Sequence, residues 1–195
     1  MNATRSFPVP APVSSALPVS AAVHHARWQT LTRQATRALE EGRSGWARQL
    51  YEQALSEADG IIAAALLLPT EEITRLAPVL YDTSCRHVAE LARQQQDSET
   101  EGIFLYRVYE RLVQLAESAG TPIALRVSSM RYLPVALDAL VDYLYNQGAG
   151  GLALRHTERA ELAALEVDRA SGVAAPPSSA TTGVRKRSAY PPGSR

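Results

Sequence analysis

Residues 28–59 read WQTLTRQATRALEEGRSGWARQLYEQALSEAD, and this stretch decides the fold. Gly42 and Gly45 flank a short break in which Ser44 is placed to cap the helix that follows. From that break Trp46, Leu50, Ala54, Ala58, Ile61, Ile62 and Ala65 recur at steps of three and four, one apolar stripe of a helix. Working outward, Phe104, Val108, Leu112, Leu115 and Ala119 form a second stripe, and Ile123, Val127, Met130, Leu137, Val141 and Leu144 a third. No stretch shows sustained period-two alternation, so the spacing predicts an all-α chain.

The breaks are marked by residues with a mechanism. Leu68-Pro69 ends a helix, and Thr70-Glu71-Glu72 reads as a further turn with acids at the positive end of a helix dipole. Pro78 suits a first-turn position, which puts a helix start near Ala77. Asp97-Ser98 separates two helices. Gly120-Thr121-Pro122 reads as terminator, cap and first helical residue, and Gly148, Gly150 and Gly151 make the last joint. Pro134 lies inside a good stripe and should kink its helix without ending it. The expected helices cover about 27–41, 44–68, 77–96, 98–119, 122–147 and 150–170. Short connections make neighbours antiparallel, hence three α-hairpins in a row.

Composition divides the chain into three. Residues 1–26 carry Pro8, Pro10, Pro12 and Pro18, and 171–195 hold Pro176-Pro177 and Pro191-Pro192, so both ends bury too little apolar surface to order. The expected folded domain is 27–170, between a disordered leader, 1–26, and a disordered basic tail, 171–195. Residues 27–170 hold all 20 carboxylates against 15 arginines, an excess of five acids. The tail carries Arg185, Lys186, Arg187 and Arg195 without an acid, and Lys186 is the only lysine. Three clustered charges are few for phosphate-driven nucleic-acid binding or for an anionic surface. The longest apolar run, Ile61 to Leu68, is eight residues. A bilayer needs about 20, and the prolines interrupt any signal-peptide core. A cytoplasmic location with no membrane span is expected.

The first hairpin has a more specific signature. Ala35, Ala47, Tyr51 and Ala54 stand at successive spacings of twelve, four and three, with Gly42 in the interhelix turn. Small residues there let two helices cross closely, and the tyrosine fills the space beside them. This pattern over 28–59 resembles the tetratricopeptide repeat family. A second copy falls on 82–117, where Ala89 and Gly102 form the small pair with one residue inserted and Tyr106 follows four later. Tyr109 stands where the family has alanine, and a register pairing Tyr109 with Tyr51 is the alternative. The third hairpin has the length but not the pattern.

The resemblance implies a stacked superhelix whose first helices line a concave groove for a peptide or a helix. Carried over residue by residue, that groove takes Gln29, Thr32, Arg33 and Thr36 from the first hairpin and Arg86, Glu90 and Arg93 from the second. Thr32 and Thr36 fall where chaperone-tail binders of the family begin their Lys/Asn set, so that ligand is not expected. Candidate chemistry is sparse. Cys85 is the only cysteine, and Cys85 and His87, two apart on a helix, point to different faces. Neither a nucleophile–His arrangement, nor a metal-ligand spacing, nor a phosphate-binding glycine loop appears. The expectation is a non-enzymatic adaptor or chaperone-like binder of another protein, without cofactor or metal. The alternative is a homodimer joined through the long apolar helices 44–68 and 122–147.

Overall fold

The computed structural model describes residues 19–172, and among them it is all-helical. The order is α1 (Val19–Glu40), α2 (Ser44–Leu67), α3 (Glu71–Gln94), α4 (Ser98–Glu117), α5 (Ile123–Asn146) and α6 (Gly150–Ala170). Arg185, Lys186 and Arg187 lie outside the described residues, as do residues 1–18.

Two expected boundaries are corrected. Helix α1 begins at Val19, so residues 19–26 belong to the folded body and not to a leader. The stripe that buries Ala35 and Ala38 and half-buries Trp28 and Leu31 continues upstream to Ala21, which is fully buried, and His24 pairs with Glu57 of α2 at 2.6 Å. Helix α3 starts at Glu71 rather than near Ala77, and Pro78 lies inside it. Thr70 caps that start by accepting from the Ile73 amide at 3.3 Å, and Ile73, Ala77 and Leu80 are buried in one line. Cap and burial together outweigh a proline in the eighth position.

Two caps differ as well. Ser44 is the first residue of α2, with Arg43 at the cap position and no side-chain cap bond. Pro122, not Thr121, occupies the cap position of α5, which then runs unbroken through Pro134.

The turns within the hairpins α1–α2, α3–α4 and α5–α6 share one construction. Gly42, Gln96 and Gly148 each take a left-handed backbone, with φ of 72°, 59° and 72°. The next amide reaches back five residues in each: Arg43 to Ala38 O, Asp97 to Ala92 O and Ala149 to Leu144 O, at 2.8, 2.9 and 2.8 Å. This is the Schellman closure, which satisfies carbonyls the helix end leaves free. Glycine takes that backbone without strain, whereas Gln96 holds it against a Cβ penalty.

Every helix packs on its sequence neighbours, and α3 packs on α5 and α4 on α6 besides. The main core runs through all six helices. The α2 stripe is buried in it from Leu50 onward, with Trp46 48 % exposed, whereas the buried apolar face of α5 runs through Leu125, Leu133, Ala136, Leu140 and Leu144. Of the stripe expected on α5 only Leu144 is buried; Met130, Leu137 and Val141 are half-buried, and Ile123 and Val127 are exposed. Polar ties connect hairpins. Trp28 Nε1 donates to Ser84 Oγ at 2.7 Å. Arg48 of α2 reaches Asp97 and Thr100, both at 3.2 Å. Arg107 of α4 reaches Asp59 at 3.0 Å and the Tyr81 hydroxyl at 3.1 Å. No helix among the described residues is long and apolar enough to cross a membrane.

Candidate functional site

A cleft of about 710 Å3 opens between α3, α4 and α5. Helix α3 supplies Arg86, His87, Glu90 and Arg93, which follow one another along one side of the helix. Helix α4 supplies Glu101 and Leu105, α5 supplies Ala139, Asp142 and Tyr143, and Gln147 follows from the cap at the end of α5. Arg86, Glu90 and Arg93, the second-hairpin residues that the family resemblance carried over, all line this cleft. Gln29, Thr32 and Arg33 are not part of it. With Trp28 they line a separate recess of about 330 Å3 on α1. Thr36 donates to the Thr32 carbonyl at 3.1 Å and meets the Tyr51 hydroxyl at 3.3 Å. Tyr51 in turn lies against the His87 ring, centroids 4.4 Å apart, and so stands between the α1 surface and the cleft.

The electrostatics differ from a cationic groove. Arg86 Nη2 lies 2.6 Å from Asp82 Oδ2. Asp82 is 1 % exposed, and neither of its oxygens has a hydrogen bond of good geometry. Burial pushes its carboxyl up and the Arg86 guanidinium pulls it back. Arg93 holds Glu90 at 2.6 Å, and Gln94 donates to the same carboxylate at 2.9 Å. Those two bonds, Gln94 first, hold the Glu90 carboxyl below its ordinary value. Both arginines thus have a carboxylate already. Glu101 and Asp142 have no ion-pair partner among the described residues. Burial pushes the Glu101 carboxyl up, Arg93 opposes this and Glu90 adds to it. Burial first and Arg86 second push the His87 imidazole below its ordinary value, and its Nδ1 is buried and unpartnered.

The repeat-packing residues are placed as follows. Ala35, Ala47, Tyr51 and Ala54 are all buried where α1 and α2 cross. In the second hairpin the matching turn shifts the register. Ala89 precedes Gln96 by the same seven residues that separate Ala35 from Gly42, but nine residues on, the place of Tyr51 is taken by Leu105, not Tyr106 or Tyr109. The place of Ala47 is taken by Glu101, so the inserted residue that aligned Gly102 is not there. Gly102 is buried against Tyr143 of α5 instead, a crossing between hairpins. Tyr106 is half-buried, and Tyr109 is fully buried with its hydroxyl donating to the His156 carbonyl at 2.7 Å.

Sequence reasoning missed the α4 and α5 walls. Glu101, Asp142 and Tyr143 carry no local signal, because only tertiary packing sets them opposite α3. Further perturbed groups, Tyr81, Cys85 and Tyr109 among them, lie outside the cleft; burial pushes the Tyr81 and Tyr109 phenols up to about 12 and the Cys85 thiol far up, away from the reactive thiolate. Among the described residues no three His, Cys, Asp or Glu side chains converge as a metal site would require.

The chain belongs to the DUF2753 family, described as proteins of unknown function, whose model matches residues 26–173. Neither a curated protein nor a solved structure matches the chain significantly.

Proposed function

We propose that the protein is a non-enzymatic interaction module, a divergent tetratricopeptide-like array of three α-hairpins that binds a segment of another protein in the cleft between α3 and α5, in the cytoplasm. The observation that carries this reading is the cleft itself, built on the first helices of two successive hairpins and holding carboxylates that the fold leaves unpaired. Sequential packing, with α3 on α5 and α4 on α6, supports an open array over a closed bundle. The three like turns support a repeated hairpin.

The test is quantitative capture from an extract of the source cells on the immobilised full-length chain. Ala139→Trp fills the cleft, and Leu162→Ala changes a residue of α6 outside it. A partner captured by the wild type and by Leu162→Ala, and at least tenfold less by a folded Ala139→Trp chain, is expected. Equal capture by all three would overturn the reading.

Self-association is the second reading. On α5 the exposed apolar residues include Ile123, Val127 and Val135, and on α6 a dimer contact would use Leu154, Leu162 and Leu165, which are 59 %, 62 % and 52 % exposed. They stand opposite the face that buries Ala153, Ala160, Ala163 and Val167. A concentration-independent monomer mass would exclude it.

A further inference from the structure

We infer that the cleft is regulated by this chain's own basic segment, Arg185-Lys186-Arg187, which docks at Glu101 and Asp142 in competition with the partner; this rests on the binding reading above.

The argument starts from what the cleft lacks. Its arginines are neutralised at 2.6 Å by Asp82 and Glu90, which leaves Glu101 and Asp142 as its unpaired charges among the described residues. Other acids without partners, such as Glu158 and Glu161, sit on exposed helix faces where water solvates them. Glu101 is half-buried, and Asp142, although exposed, lines the same concavity, where a carboxylate gains more from a cation than it does on a convex surface. Tyr143, Leu105 and Ala139 line the same space. An aromatic face and aliphatic walls beside two carboxylates suit the stem and head of an arginine or lysine.

The chain supplies such a group. Its cations without nearby acids are concentrated after Gly172, with no carboxylate in 173–195. Reach is sufficient. Helix α6 returns antiparallel to α5, so its end lies opposite the Asp142 end of the cleft. Its 21 residues span about 31 Å. Two helix spacings from α6 to α3 add about 18 Å sideways, or about 36 Å in all. Thirteen residues from Gly172 to Arg185 extend to about 43 Å. A tethered segment also competes at an elevated effective concentration, which a free partner must exceed.

Lys186 makes the test sharp, because it is the only lysine. The full-length chain is treated with a water-soluble carbodiimide, which joins a lysine amine to a carboxylate it touches, and the monomer is digested for mass spectrometry. Links from Lys186 to Glu101 or Asp142 are expected to dominate, and to fall at least fivefold in Ala139→Trp, in Arg185→Glu with Arg187→Glu, and in 0.5 M NaCl. The double Glu variant should capture at least threefold more partner. Links spread evenly over Glu158, Glu161 and Glu166, or found only between copies in a mixed-isotope sample, would overturn the inference. Spread links with capture still lost in Ala139→Trp would sink self-docking alone. Capture unaffected by Ala139→Trp, with the wild-type links to Glu101 and Asp142 present and lost in that variant, would sink the binding reading and the competition with it, and leave the docked segment standing.

Discussion

Tyr143 of α5 occupies the space that a Cβ on Gly102 of α4 would need. Its ring sits 2.6 to 2.9 Å from that position, and its hydroxyl donates to the Ser98 carbonyl at 3.1 Å. This close approach sets the distance between the second and third hairpins and forms one wall of the cleft. Alanine is favoured over glycine within a helix by about 1 kcal/mol. Gly102→Ala should nevertheless destabilise the protein by about 1–2 kcal/mol, because the ring is held by its own hydrogen bond and packing. In a Tyr143→Ala background the sign should invert, with Gly102→Ala then stabilising by up to about 1 kcal/mol. Urea unfolding of the four chains measures both values, and an additive pair would remove the steric argument.

Asp82 gives a pH dependence of definite sign. Burial raises its carboxyl above the ordinary value in the folded state. The folded chain therefore holds that proton where the unfolded chain has released it. The resulting stability is fully present below the unfolded pKa and is lost as pH rises through the raised folded one. Asp82→Asn leaves Arg86 without its carboxylate, but that side chain is 45 % exposed and can be hydrated. The variant should equal or exceed the wild type by about 1 kcal/mol at pH 7. Its advantage should shrink toward pH 4 as the wild-type carboxyl takes up its proton. Unfolding curves at both pH values give the comparison, and a growing advantage in acid would contradict it.

Arg159 ties α6 to α4 by a fork. Its Nε and Nη2 donate to the two Glu117 oxygens at 2.9 Å each, and Nη1 meets Glu110 at 2.9 and 3.0 Å. All three side chains are about a third exposed, so screening reduces what the geometry suggests. Arg159→Met should cost about 1 kcal/mol at low salt and about half of that in 0.5 M NaCl. Arg159→Lys should lose most of it too, since an ammonium cannot form the fork. Amide exchange in α6 should quicken more than in α3 in both variants.

Much of this architecture was legible because helical periodicity is local. The stripes through Leu50 and Ile61, or Val108 and Leu112, identify a buried face without reference to any partner. The two boundary errors have a common cause. Pro18 and Pro78 were given weight as punctuation, while Ala21 and Ile73, the residues that carry the stripes past or ahead of them, are small or isolated signals. The cleft was half legible. Arg86, Glu90 and Arg93 share a side of α3 by spacing alone, and the same spacing already implied the pairs Asp82–Arg86 and Glu90–Arg93. That the cleft is left with an excess of acid follows only once Glu101 and Asp142 are seen across it. Such juxtapositions depend on how hairpins cross, here on Gly102 and Tyr143, and nothing in the local sequence of α5 announces it.

The bond from Trp28 to Ser84 joins the first hairpin to the second and carries the last prediction. The indole N–H is half-buried and reaches Ser84 Oγ at 2.7 Å, while that hydroxyl donates to the Leu80 carbonyl at 2.8 Å. One hydroxyl thus accepts from α1 and donates within α3, both of its roles in use. Ser84→Ala leaves an indole donor without a partner in a poorly hydrated place, and the loss should be about 1–2 kcal/mol. Trp28→Phe removes the donor along with its ring area and should cost a similar amount or more. The double variant should cost less than the sum by about 1 kcal/mol, since an unpaired donor is then no longer left behind. Trp46 is 48 % exposed and distant in sequence, so a red shift in Ser84→Ala fluorescence can be assigned to Trp28 in a Trp46→Phe chain. No shift and no coupling would show that α1 is held on α3 by apolar contact alone, and the tie between the α1 surface and the cleft would then rest on Tyr51 and His87.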